Sequence, residues 1–207
     1  DDYVEECWGP PADAPAFRKG SVAPPLLIEM MEEQADAVAE IVAGTPESQE
    51  AGRCVAQLIG HVARALADAE EELGRIDAQA GDGDHGQGMA RGSAAAAEAA
   101  EKAVTAGAGA GTVLSLAGDG WADRAGGTSG ALWGVALRAW GQALGDERKP
   151  SAETVAQGAR AALEAIVQLG GAKIGDKTLV DALVPFVEVL VERTSAGDAL
   201  RVAWSAA

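Results

Sequence analysis

Long runs of Ala, Leu and Glu, cut at intervals by clustered glycines, limit what this chain can fold into. Such runs favour helix, and glycine interrupts it. Glycine supplies 27 of 207 residues, about 13% against a usual ~7%, which reads as helices joined by glycine-rich loops. Leu26, Met30, Ala37 and Ile41 recur at helical spacing, so a helix is expected over 25–44, stopped by Gly44 and Pro46. Ser48 is the candidate cap of a longer helix whose apolar face carries Cys54, Leu58, His61, Val62, Leu66 and Leu73. His61, on that face, reads as a core or boundary residue. This helix is expected to fade at Gly74-Arg75-Ile76-Asp77. Further helices are expected over 89–106, 111–124 and 131–144, and from Pro150-Ser151 to Gly170-Gly171. The last expected helix starts at Leu179 and carries Pro185 in its first turns. Val184–Val191 has strand propensity, but no partner strand occurs elsewhere. The expectation is an all-α fold of about seven to eight helices.

The chain carries a formal charge of −16, which argues against a nucleic-acid partner. No apolar run reaches the roughly 18 residues of a membrane span. Asp1-Asp2-Tyr3 lacks the basic start of a signal peptide. Two cysteines, Cys7 and Cys54, make no disulfide framework and fit a reducing, cytoplasmic setting. Two histidines, His61 and His85, leave no Cys/His zinc site. Residues 1–23, with Pro10, Pro11 and Pro15 around Trp8 and Phe17, read as an extended tail.

Three loops carry the chemistry. Asp77, Asp82 and Asp84 stand at spacings of five and two, with Gly83 allowing a tight fold between the last two. Carboxylates held together repel, by on the order of 4 kcal/mol per pair at 4 Å and an effective dielectric of 20. A hard divalent cation turns that repulsion into binding. The Ca²⁺-loop pattern fails, because Gln87 and Ser93 fall where its glycine and bidentate Glu belong. A solvated Asp-Gly turn is the plain alternative. Gly126-Gly127-Thr128-Ser129-Gly130 opens a helix, with Ser129 as the natural N-cap. Such a loop offers backbone N–H groups and a positive helix end to an anion, or is an ordinary cap. Gly170–Thr178 comes near the P-loop pattern, but Asp176 intrudes and no strand precedes it.

Asp77-x4-Asp82-Gly83-Asp84-His85-Gly86, Gly126–Gly130 and Gly175-Asp176-Lys177-Thr178-Leu179-Val180-Asp181-Ala182-Leu183 follow in that order. Together they resemble the three signatures of the nucleotide-binding (L) domain of dihydroxyacetone kinases, over about residues 47 to 195. The resemblance implies an antiparallel helical barrel that binds nucleotide at one end. It implies that Asp77, Asp82 and Asp84 hold two Mg²⁺ ions on the phosphates of ATP or ADP. It places His85, Gly86, Gln87, Gly88, Thr128 and Ser129 on the phosphates, and Gly170, Thr178 and Leu179 near base and ribose. It assigns residues 46–207 to a C-terminally short L-type domain. Residues 1–45 are then a tail and linker helix, similar to the end of a ketose-binding (K) domain.

The implied activity is ATP-dependent phosphorylation of a primary hydroxyl on a short ketose, held by the separate K domain as partner. No catalytic residue is assigned in this chain, and a homodimer is compatible with the resemblance. Three departures stand out. The family often has Thr or Asn near Gln87, its C-terminal stretch with a Gly-Arg pair and a later Asp-Pro-Gly is absent before Ala207, and the front carries extra residues. Two other readings stay open. One is a phosphotransferase-system subunit that keeps ADP as a fixed cofactor. The other is a non-enzymatic helical adaptor.

Overall fold

The computed structural model describes residues 41–207. Among these, eight helices and no strand occur: α1 Pro46–Asp68, α2 Glu70–Asp77, α3 His85–Thr105, α4 Ala110–Ala125, α5 Gly127–Leu144, α6 Ala152–Gly170, α7 Leu179–Ser195 and α8 Leu200–Ala206. The all-α expectation holds. The helix expected over 25–44 lies largely outside the described residues, and 41–45 are not helical.

Sequential helices pack on one another, α3 on α4, α4 on α5, α5 on α6 and α6 on α7, and α1 packs against α3 and α4. Close glycine contacts set the α4–α5 pair. A Cβ on Gly111 would lie 2.7 Å from the Gly141 carbonyl oxygen, and one on Gly118 would lie 2.7 Å from that of Gly134. The two helices are therefore antiparallel, and only Gly126 separates them. Glycine thus serves helix faces as well as loops, and composition alone did not separate the two uses.

This up-and-down order has a consequence for the motifs. Connections alternate between the ends of the bundle. The loops before α3, between α4 and α5, and between α6 and α7 all fall at one end. The connections at 106–109 and 145–151 fall at the other. There the Gly111 amide donates to the Gly145 carbonyl at 3.1 Å, and the Thr45 amide to the Asp146 carbonyl at 3.0 Å.

Several local expectations need correction. Thr45, not Ser48, caps α1: its hydroxyl accepts from the Ser48 amide at 3.2 Å, and Pro46 occupies the first turn. The Ser48 side chain is buried instead and accepts from the Ala110 amide at 3.0 Å. The one long helix expected from about Ser48 is divided at Ala69 into α1 and α2, and α2 ends at Asp77, within the expected stop. Gly126 rather than Ser129 is the N-cap of α5, so Thr128 and Ser129 lie inside its first turn. Ser151 and Gly171 bound α6 as expected, Ser151 accepting from the Thr154 amide and Gly171 taking φ +69.

The face of α1 chosen from periodicity is not the buried one. Leu58 is 65% exposed, and Cys54, His61 and Val62 are also exposed. The buried stripe is Ser48, Gly52 and Ile59. Small residues there permit close approach to α4; a Cβ on Gly52 would lie 3.2 Å from Val113. Leu58 and Val62 instead border an apolar cavity of about 690 Å³, shared with Trp121, Trp140 and Trp204. The compact core is Ala-rich, with Ala96, Ala100, Ala103, Ala110, Val113 and Ala117 buried between α3 and α4.

Candidate functional site

The open end of the bundle holds a cleft of about 360 Å³. Asp77, Asp82, Asp84 and His85 form one wall, and Gly126–Gly130 another. Asp77 closes α2, and His85 opens α3, so the acidic loop spans only seven residues, 78–84. Gly83 sits at φ +83, a region that disfavours side chains, and turns the chain so that Asp82 and Asp84 face the same space. One ligand oxygen from each of Asp77, Asp82 and Asp84 lies within 4.8 Å of the others. No other such cluster of three occurs among the described residues.

The three aspartates are not equivalent. Asp77 is half-buried, and its Oδ2 accepts from the Gly83 amide at 2.9 Å and the His85 amide at 3.4 Å. It shapes the loop as well as facing the cleft. Asp82 and Asp84 are exposed, and Asp82 makes only a 3.4 Å contact with the Asp84 amide. Their oxygens are available to a ligand. The donor set is all oxygen, which fits Mg²⁺ or Ca²⁺ rather than a softer ion.

Across the cleft, the Gly126–Gly127 corner has φ values of +73 and +60 and no atom near a prospective Cβ. A side chain there would be strained by the positive φ, although the space around it is open. The first turns of α3 and α5 both open onto this space, and neither has a side-chain cap. In contrast α1, α6 and α7 are capped by Thr45, Ser151 and Thr178. Apart from the His85 amide, which Asp77 accepts, the first-turn N–H groups here have no side-chain acceptor, and at the positive end of a helix such groups suit an anion. The cleft thus joins a wall whose groups suit a cation to a wall whose groups suit an anion.

Of the expected site residues, Asp77, Asp82, Asp84, His85, Gly88, Thr128 and Ser129 line the cleft. Gly86 does not; it is buried against α2, where a Cβ would run into the Glu70 carbonyl. Gln87 is exposed on the first turn of α3 and outside the cleft lining. Gly170, Thr178 and Leu179 form a neighbouring group. Gly170 approaches Leu132 of α5, a Cβ there lying 3.2 Å from its side chain, and Leu179 packs in the same cluster as Leu132. Leu132 is three residues beyond Ser129, about 4.5 Å along α5. The third motif therefore continues the cleft along α5 rather than lining it. Thr178 caps α7 in a reciprocal box with Asp181.

Sequence reasoning passed over two residues of this end. Asp181 accepts from the Gly175 amide at 2.7 Å and the Thr178 amide at 2.9 Å, which holds its carboxyl below the usual range. The Thr-x-x-Asp spacing was the available signal. Arg91 lines the cleft from α3, two turns beyond the acidic loop, where no motif marked it.

Known proteins share this fold and sequence. The DAK2 domain model matches residues 79–207. The L-erythrulose kinase of Pectobacterium atrosepticum is 49% identical over 209 residues, covering 100% of this chain and 35% of its own. The D-erythrulose kinase of Mycolicibacterium smegmatis is 47% identical over 215 residues, covering 100% of this chain and 37% of its own. The chain thus spans about a third of the length of these curated relatives. The crystal structure of the dihydroxyacetone kinase from C. freundii in complex with AMP-PNP and Mg²⁺ superposes with a TM-score of 0.57. That match has 26% identity and covers 93% of this chain and 32% of the other. With its family model spanning most of the helical bundle and relatives alike over its whole length, the chain belongs to the DAK2 domain family.

Proposed function

We propose that this chain is the nucleotide- and Mg²⁺-binding part of an ATP-dependent kinase for short ketoses, working in the cytoplasm beside a ketose-binding domain. One observation carries the reading: three carboxylates within 4.8 Å of one another face two helix N-termini without side-chain caps across a single cleft. A triphosphate bound through metal needs both walls. The relatives named as erythrulose kinases make erythrulose the first ketose to try.

Asp77, Asp82 and Asp84 would hold two Mg²⁺ ions, which neutralise phosphate charge when bound. The first-turn amides of α3 and α5 would orient the phosphate oxygens, with the Thr128 and Ser129 hydroxyls beside them. Gly170, Thr178 and Leu179 would border base and ribose further along α5. The Gly126–Gly127 corner keeps side chains out, so phosphate can approach backbone. The γ-phosphoryl group would pass to a primary hydroxyl of the ketose, presented from the partner domain. Transfer of this kind rests on positioning, where ~1 Å of misplacement costs about 100-fold.

The test is reconstitution. The chain alone, with Mg²⁺ and ATP, is expected to phosphorylate erythrulose or dihydroxyacetone negligibly. Adding the ketose-binding part of a relative in trans is expected to raise turnover by orders of magnitude. Rapid ketose phosphorylation by the 207 residues alone, or no nucleotide binding by them, would overturn the assignment.

A further inference from the structure

Arg91 lies on α3, six residues and about 9 Å beyond His85, and lines the cleft with the three aspartates and the Gly126–Gly130 turn. Among the described residues lining that cleft it is the one permanently charged cation. We infer that Arg91 is a phosphate-binding residue of the nucleotide site, its guanidinium taking phosphate oxygens. The inference rests on the nucleotide reading above.

Its place is fixed by packing. Gly88 and Gly92 flank Arg91 on α3 and press that helix against the end of α4. A Cβ on Gly88 would lie 3.2 Å from the Ala125 carbonyl, and one on Gly92 would lie 2.6 Å from the Ala125 Cβ. Ala125 is the residue before the Gly126 corner, so Arg91 emerges at the seam where the anion-holding turn begins.

The common role for such an arginine is an ion pair. None of the four ion pairs among the described residues includes Arg91, although three carboxylates line the same cleft. Other cations are used in that way: Arg75 pairs with Glu72, and Arg138 with Asp119. A guanidinium left unpaired at the mouth of an anion-holding turn has a planar fork that matches two phosphate oxygens. A net charge of −16 makes such a cation useful, because the rest of the protein repels a triphosphate.

Two measurements with opposite signs separate this role from a structural one. The first is Mg·ATP affinity by calorimetry, for wild type, Arg91→Gln and Arg91→Lys. Arg91→Gln is expected to lose tenfold or more, and Arg91→Lys less, since it keeps the charge and loses the fork. The second is Mn²⁺ affinity without nucleotide, by electron paramagnetic resonance. Here Arg91→Gln is expected to match or exceed wild type, because a positive charge near the carboxylates has gone. Wild-type Mg·ATP affinity in Arg91→Gln would overturn the inference, as would a parallel loss of Mn²⁺ binding. A wild-type chain that binds Mn²⁺ but no ATP would instead sink the nucleotide reading on which it stands.

Discussion

At the end of the bundle away from the cleft, the loops hold one another. Asp146 accepts from the Thr112 amide at 3.1 Å and its hydroxyl at 2.5 Å. Ser48, buried, accepts from the Ala110 amide at 3.0 Å, and the Gly44 amide donates to the Gly107 carbonyl at 3.0 Å. At the cleft end the arrangement is reversed. Asp82 and Asp84 stand exposed, and α3 and α5 begin without side-chain caps. The same residue types, Asp, Ser, Thr and Gly, serve both ends. Partners tell the two uses apart: polar groups satisfied within the chain hold the fold, and polar groups gathered without partners leave their hydrogen-bonding capacity open to a ligand. Substitutions at the two ends should therefore have separable effects.

The largest effect is expected from Asp82→Ala, read in the presence of ligand. A ligand at 100 times its dissociation constant adds ~2.7 kcal/mol. For a domain of this size each kcal/mol moves the melting temperature by ~2–4 °C, so Mg²⁺ with ATP should raise it by about 5–10 °C. Asp82→Ala should abolish that rise and leave the unliganded melting temperature unchanged or higher, since one of three mutually repelling carboxylates has gone. Asp77→Ala should behave differently and also loosen the loop, because Asp77 accepts from Gly83 and His85. Melting curves with ATP, with and without chelator, decide the matter. An equal shift with and without metal would end the role given to the carboxylates.

Asp146→Ala should show the reverse pattern. It removes a half-buried acceptor for two groups of Thr112. Hydrogen bonds to a charged group contribute ~1.5–3 kcal/mol, and partial exposure lowers this to about 1–2 kcal/mol. The unliganded melting temperature should fall by about 2–8 °C. The shift produced by Mg²⁺ and ATP should survive intact. If Asp146→Ala erases the ligand shift while the protein remains folded, the two ends are coupled and the contrast drawn between them is wrong.

Which end was legible in the sequence follows from the same contrast. The cleft end was marked by local spacing: Asp77, Asp82 and Asp84 around glycine, and a glycine turn opening a helix. A loop that concentrates its polar groups in a few consecutive residues is visible in the sequence alone. The closed end was not legible. Ser48 and Ala110 stand 62 residues apart and Thr112 and Asp146 stand 34 apart, and no local pattern pairs them. The buried face of α1 was misjudged for a related reason. Periodicity found an apolar stripe through Leu58 and Val62, but the neighbouring helix chose the smaller stripe through Gly52 and Ile59. Arg91 was missed because a lone arginine on an Ala-rich helix carries no spacing signal. Only the approach of α4 gives it a setting.

The smallest effect concerns the third loop, which mixes the two plans: it lies at the cleft end, yet its backbone is tied by Asp181. The carboxyl of Asp181 is held below its ordinary value by the Gly175 amide first and the Thr178 amide second. A depressed folded-state value means that the interaction is present above the ordinary Asp value of about 3.9 and is lost as pH falls through the lower folded value. The hydrogen bonds of Asp181 are solvent-exposed, so global stability should scarcely respond. The response should be local. Lys177, at φ +58, is held in a conformation that non-glycine residues seldom take, and release of Asp181 removes two ties from the loop that holds it. Amide proton shifts of Gly175 and Thr178 should therefore move together on acidification, with a midpoint below that of ordinary aspartates. The step should vanish in Asp181→Asn, which does not titrate. Amides that move at the ordinary value, or that move unchanged in the variant, would show that Asp181 does not organise this loop. The third motif would then owe its shape to the Thr178 cap and the packing of Leu179 alone.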